Sequence, residues 1–123
     1  MEANKSQPFF ASVLFDSTHI GYSFPEESSF TPFRPYLNYV YYSAYGSGLH
    51  VTEDVNRYRN SVYYVDYLIG QLLQYMEKAG WMENTIILIT GDHGEAFGEH
   101  GCWGHNGSFS DEETRVPLLL YVP

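Results

Sequence analysis

Between Asn84 and His105 the chain reads NTIILITGDHGEAFGEHGCWGH, an apolar and β-branched run that breaks at once into glycines, carboxylates and histidines. Thr85 to Thr90 has the composition of a fully buried central strand, so the residues after it form a polar loop at a strand's carboxyl end. In open α/β sheets ligands bind in the crevice beyond those ends, which puts Asp92 and His93 where chemistry is expected. Asp92 offers a hard oxygen and His93 a borderline nitrogen, and neighbours in the turn after a strand can face one ion. Taken alone, the pair also reads as an Asx turn with a loop histidine.

A second continuous apolar run, Pro8 to Asp16, ends on a carboxylate and reads as another buried strand, followed by the polar turn of Ser17, Thr18, His19 and Gly21. Two strand ends then bring polar groups to one crevice. Pro25, Pro32 and Pro35 forbid a long regular element from Phe24 to Gly48. Tyr36, Tyr39, Tyr41, Tyr42 and Tyr45 in that region are read as loop packing rather than as a sugar-stacking or lipid-facing surface. Thr52 can cap a helix, with Glu53 and Asp54 in its first turn. Val55, Tyr58, Val62, Val65, Ile69, Leu72 and Met76 follow in steps of three and four, which predicts one long amphipathic helix. Lys78 and Gly80 suit its carboxyl end, and Asp66 is read as structural, on the helix surface or anchoring a loop. Leu118 to Val122 reads as a third buried strand, with Pro117 tolerated at its start. The expected class is α/β, with mostly parallel buried strands and the long helix packed on the sheet.

A chain of 123 residues suits one small domain. Its 15 acidic and 6 basic residues give a net charge of -9, which argues against nucleic-acid binding and asks for a local positive centre if the substrate is an anion. A metal ion supplies one. The lone Cys102 has no disulfide partner within the chain. No run approaches the roughly 18 apolar residues of a membrane span, and MEANKSQ does not make a signal peptide, so a soluble piece is expected. Because those residues lead straight into a buried-strand pattern, residues 1–123 are expected to be a single partial domain of something larger.

A catalytic divalent ion usually takes three or four protein ligands, so Asp92 and His93 need partners from elsewhere. The imidazole tilts the choice toward zinc or manganese and away from calcium or magnesium. His93, His100 and His105 can in principle make a three-histidine zinc centre, but Gly94, Gly98, Gly101 and Gly104 leave the path between them open. The preferred reading puts His105 on the substrate, with His19 sharing the task of neutralising an ester oxygen or protonating a leaving oxygen. Glu95 and Glu99 can act as a general base or hold His93 or His105 in one tautomer, although solvated loop carboxylates are the simpler reading. Ser108, Ser110 and Asp111 imitate part of a hydrolase triad, but no GxSxG elbow surrounds either serine, and that reading is rejected.

TGDHGEAFGEHGCWGH followed by ETRVPLLLYVP resembles the C-terminal half of the sulfatase-like branch of the alkaline phosphatase superfamily. PFFASVLFDSTHIGYSFP is similar to the family segment that brings a substrate-contacting histidine to the site. The stretch from YRNSVYYV to TGDHG is similar to the helix and strand leading to the metal. The resemblance implies an alkaline-phosphatase-like fold, Asp92 and His93 as metal ligands, and His19 and His105 as contacts to a phosphate or sulfate group. Calcium-dependent sulfatases commonly have asparagine after the aspartate and a lysine in WGK, where this chain has His93 and His105. That pattern looks more like the phosphoethanolamine transferases and lipoteichoic acid synthases, in which Asp-His binds zinc or manganese.

The family's acidic ligand and its threonine, serine or modified-cysteine nucleophile belong to an N-terminal part that these residues do not include, and Cys102 is not in the CxPxR context. The resemblance therefore implies part of a sulfatase-like, metal-dependent hydrolase or transferase of sulfate or phosphate esters. It implies an extracytoplasmic domain of a membrane-anchored parent, with these residues inactive without the N-terminal part. An open sheet edge would favour self-association of the piece. The alternative is a catalytically silent sulfatase-like binding or regulatory module of the cell envelope.

Overall fold

The computed structural model describes residues 7–38 and 50–123. They form a long helix α1 (Val51–Lys78), strands β1 (Ile87–Thr90), β2 (Ala96–Phe97) and β3 (Trp103–Gly104), a single-turn helix α2 (Asp111–Thr114) and strand β4 (Leu118–Tyr121). Short 3-10 turns lie at Ser28–Phe30, Met82–Asn84 and Glu99–Gly101. Tyr39, Tyr41, Tyr42 and Tyr45 lie outside the described residues. Tyr36 is half-buried, its ring edge-on to Phe24 at 5.5 Å. Among the described residues no helix is long and apolar enough to cross a membrane.

Strands arise at two of the three expected places, but not in the expected arrangement. β1 and β4 pair antiparallel, with Ile87 opposite Tyr121 and Thr90 opposite Leu118, and β2 pairs antiparallel with β3. The mostly parallel sheet is thus corrected for the described residues. The chain between β1 and β4 turns back on itself through the β2–β3 ribbon and α2, so β4 returns beside β1 in the opposite sense. The expected burial is corrected as well. Leu88, Leu118, Leu119 and Leu120 are all more than half exposed, because a two-stranded ribbon has no second layer over its faces. Pro8 to Asp16 forms no strand among the described residues. Phe10 and Leu14 stand in solvent, while Phe9 meets the edge of Trp81 at 5.9 Å.

α1 runs 28 residues and begins at Val51 behind the cap residue His50, two positions before the expected Thr52 cap and without a side-chain cap. Glu53 and Asp54 still occupy the first turn, where the helix dipole favours negative charge. At the other end Gly80 adopts φ +70°, its N–H donates to the Glu77 carbonyl, and the Trp81 N–H donates to the Met76 carbonyl. This is the paired 5→2 and 6→1 closure that needs a left-handed residue just past a helix.

What α1 buries differs from the apolar stripe read in the sequence. Val62 and Leu72 are exposed and the rest of the stripe is half-buried, whereas Asp54, Asn56, Arg57, Asn60 and Ser61 are buried. The polar face is spent on loop backbone. Arg57 donates to the carbonyls of Gly21 at 2.9 Å and Leu37 at 2.8 Å, and Asn56 donates to that of Pro35 at 2.9 Å. Asn60 donates to the Phe33 carbonyl at 3.1 Å while its own oxygen accepts the Phe33 N–H at 3.0 Å, a side-chain copy of a strand pairing. Residues 21–37 have almost no regular structure to satisfy their own backbone, and the helix does it for them. Asp66 is exposed on the same helix.

The buried apolar centre among the described residues is small: Tyr22, Ala96 and Phe97. Tyr22 meets Tyr58 edge-on at 5.4 Å, and Tyr58 and Phe97 lie 5.2 Å apart. These rings join the turn after His19 to α1 and β2. Tyr22 holds φ +43°, a left-handed conformation uncommon outside glycine, and its complete burial pins it there.

Candidate functional site

The loop from Gly91 to Glu95 leaves β1 and meets the turn at Asp16 to His19. Leu14, Phe15, Asp16, Thr18, His19, Tyr58, Asp92, His93, Gly94 and Glu95 line a crevice of about 130 Å³ between them. Asp92 and His93 project from the end of β1, as their place in the sequence suggests. Two close backbone contacts fix the loop. The Gly94 N–H donates to the Glu113 carbonyl at 2.8 Å, and any Cβ at Gly94 would run into the backbone carbonyl of Glu112. Glu113 is itself buried, and its carboxylate accepts the Ser108 hydroxyl at 2.7 Å. That bond first, with backbone N–H groups of residues 106–108, holds the Glu113 carboxyl below the usual glutamate range. Ser108 is thus an anchor of α2, consistent with rejecting it as a nucleophile.

The geometry of the Asp92 and His93 pair suits a cation. One Asp92 oxygen accepts the His93 backbone N–H at 3.0 Å, and the other is open to solvent. Its own backbone N–H and that of His93 hold the Asp92 carboxyl below the usual aspartate range. The His93 ring places Nδ1 2.8 Å from the Gly94 carbonyl oxygen. A carbonyl only accepts, so Nδ1 carries the proton and Nε2 keeps its lone pair. That lone pair lies 3.9 Å from Asp92 Oδ2. Two ligand bonds of about 2.1 Å span a gap of that size at an angle of about 136°, wider than tetrahedral, so a small approach of the two donors would let them share a divalent ion. Among the described residues no third His, Cys, Asp or Glu side chain completes such a cluster.

The other histidines separate into two groups. His105 stacks on His93 with ring centres 3.9 Å apart and planes 29° from parallel, and His19 lies 6.1 Å from His105. The structure thereby brings together all four residues singled out in the sequence, His19, Asp92, His93 and His105. His100 points elsewhere. It is largely exposed and reaches Glu112, with Nε2 4.0 Å from Oε2, and among the described residues no cluster of three ligand side chains forms, so the three-histidine centre gains no support.

Glu95 corrects an expectation. Its side chain is only 5% exposed, not a solvated loop carboxylate. One oxygen lies 3.2 Å from His105 Nδ1 and the other accepts the Tyr22 hydroxyl at 3.3 Å. Tyr58, on the crevice wall, was legible only as a stripe residue. Burial first, and the nearby Glu95 charge second, raise its phenol above the ordinary tyrosine value. Asp16 also lines the crevice, and the sequence marked it only as the carboxylate ending an apolar run.

The sequence model of the family described as Sulfatase matches residues 1–123. Human iduronate 2-sulfatase is 46% identical over 66 residues, and the N-acetylglucosamine-6-O-sulfatase of Bacteroides thetaiotaomicron 44% over 66, each match covering 54% of this chain and 12% of the relative. Phosphoethanolamine transferase EptA of Escherichia coli K12 is 31% identical over 71 residues, 55% of this chain and 13% of the transferase. The chain therefore matches about one eighth of the length of these curated relatives. No solved structure matches it significantly. Both the sulfatases and the transferase type expected from His93 and His105 are among these relatives, with higher identity for the two sulfatases. With a strand-end Asp-His pair in place and the family match running the whole length, the chain belongs to the sulfatase family of the alkaline phosphatase superfamily.

Proposed function

We propose that residues 1–123 are the part of a sulfatase-family catalytic domain that supplies Asp92 and His93 as two ligands of a divalent metal ion and His19 and His105 as contacts to the substrate's anionic group. The full protein, in this reading, is a metal-dependent hydrolase of sulfate esters, in an extracytoplasmic domain whose nucleophile and remaining ligands lie outside this chain. The observation that carries the proposal is the His93 ring, whose Nδ1 bond to the Gly94 carbonyl leaves an unprotonated Nε2 3.9 Å from Asp92 Oδ2. The donor set of one carboxylate and one imidazole favours zinc or manganese over calcium or magnesium.

A bound ion would supply positive charge to an anionic ester in a chain whose own net charge is -9. The chain's residues do the rest. His19 offers an N–H group to the ester oxygens, and His105, when protonated on both nitrogens, can pass its Nε2 proton to the leaving oxygen. Tyr58 and Phe15 wall the crevice. A phosphate ester substrate, with transfer in place of hydrolysis, is the second reading, supported by the match to EptA.

The test uses the full-length protein with 4-nitrophenyl sulfate and 4-nitrophenyl phosphate, before and after EDTA and after return of zinc, manganese, calcium or magnesium. The expected result is sulfate-ester turnover that EDTA abolishes and zinc or manganese restores, lowered about 100-fold by His105→Ala. A preference for the phosphate ester selects the second reading. Metal-loaded protein that turns over neither ester makes the domain a silent binding module and overturns the proposal.

A further inference from the structure

We infer that Glu95 is a positioning residue that fixes the tautomer and orientation of His105, with Tyr22 as its brace. The inference rests on the proposed substrate contact of His105, but its geometry is independent of it. A carboxylate has only acceptors, so the 3.2 Å contact between Glu95 Oε1 and His105 Nδ1 is made by an Nδ1–H donor. The neutral His105 ring then carries its lone pair on Nε2, the atom farther from Glu95. Glu95 cannot swing away, because its second oxygen accepts the Tyr22 hydroxyl at 3.3 Å and Tyr22 is completely buried between Tyr58 and Phe97. The His93 ring stacked at 3.9 Å limits the remaining rotation of His105.

The arrangement gives two neighbouring histidines the same tautomer by two different devices. His93 is held by the carbonyl of the next residue, and His105 by a carboxylate ten positions earlier. Tyr22 comes from 73 residues before Glu95, so the brace also ties the turn carrying His19 to the loop carrying His93. A carboxylate so little exposed and so fully paired has a cost in desolvation that a surface glutamate would not bear. Holding His105 accounts for its place.

The test uses the full-length protein labelled with 15N at histidine, with His105→Gln to assign the His105 signals. Wild type is expected to show the His105 proton on Nδ1, and Glu95→Ala to move it to Nε2 or to an average of the two. With 4-nitrophenyl sulfate and 4-nitrophenyl phosphate, Glu95→Ala is expected to lower kcat 10- to 100-fold with little change in KM or metal content. Glu95→Gln, whose amide oxygen can accept the same N–H in the same volume, is expected to recover most of that loss. A wild-type His105 protonated on Nε2, or a Glu95→Ala protein with unchanged tautomer and kcat, overturns the inference. The nitrogen spectrum reads the inference even if neither ester is turned over, so its failure and that of the proposed function are told apart.

Discussion

Gly94 and Gly70 receive the same substitution with opposite expected signs. At Gly94 a Cβ meets the Glu112 backbone carbonyl, and no side chain can rotate out of the way. The loop must retreat from α2, which stretches the 2.8 Å bond from the Gly94 N–H to the Glu113 carbonyl. Overpacking of this kind costs about 1–3 kcal/mol, and loss of one backbone hydrogen bond adds about 0.5–1.5 kcal/mol. Gly94→Ala is therefore expected to destabilise the protein by roughly 2–4 kcal/mol. Gly70 lies inside α1, and a Cβ there meets nothing within 4 Å. Gly70→Ala should stabilise by about 0.5–1 kcal/mol, since alanine loses less backbone freedom in a helix. The assay is denaturant unfolding of the two variants beside wild type, with ester turnover measured in parallel. Gly94 also carries the carbonyl that orients His93, and a displacement of about 1 Å there costs turnover on the order of 100-fold. Equal stabilities for the two variants, or a Gly94→Ala protein with wild-type turnover, would refute the claim that this close approach holds the site.

Other residues give separate tests. Arg57→Met removes two charge-assisted bonds to the Gly21 and Leu37 carbonyls and leaves both acceptors unpaired; the expected loss in denaturant unfolding is about 2–4 kcal/mol, and a loss under about 1 kcal/mol would contradict the clamp. Gly98 holds φ +105°, and a Cβ there would sit 2.9 Å from the Trp103 ring, so Gly98→Ala should cost about 1–3 kcal/mol, read by the same unfolding curves. Because Ser108 and neighbouring N–H groups depress the folded-state Glu113 carboxyl, its stabilisation is fully present above the ordinary glutamate range and is lost as pH falls through the folded value. Ser108→Ala should therefore be less stable than wild type at neutral pH, with the gap closing in acid; a gap that widens as pH falls would show the opposite sign.

Some of this was open to inspection in the sequence. The place of Asp92 and His93 follows from a β-branched run giving way to Gly91, and strands form at 87–90 and 118–121 where apolar runs were read. Gly80 closes α1 as a glycine after a periodic run should. The pairing sense of β1 and β4 was not open in the same way, because it depends on how the intervening loop turns and not on either strand's composition. Hydrophobic periodicity drew the eye to Val62 and Leu72, whereas α1 buries Asn56, Arg57 and Asn60, whose partners are carbonyls 20 or more residues away. Glu95 read as a solvated loop acid for the same reason. Nothing near it in the chain says that Tyr22, 73 positions earlier, will meet its second oxygen.

The account turns on Asp92 and His93 sharing one ion. Metal content and affinity of the full-length protein, measured by titration with zinc, manganese, calcium and magnesium for wild type, Asp92→Asn and His93→Gln, test that most directly. The prediction is a divalent site that takes zinc or manganese in preference and is weakened at least about 10-fold by either substitution. Wild-type affinity in both variants would contradict it.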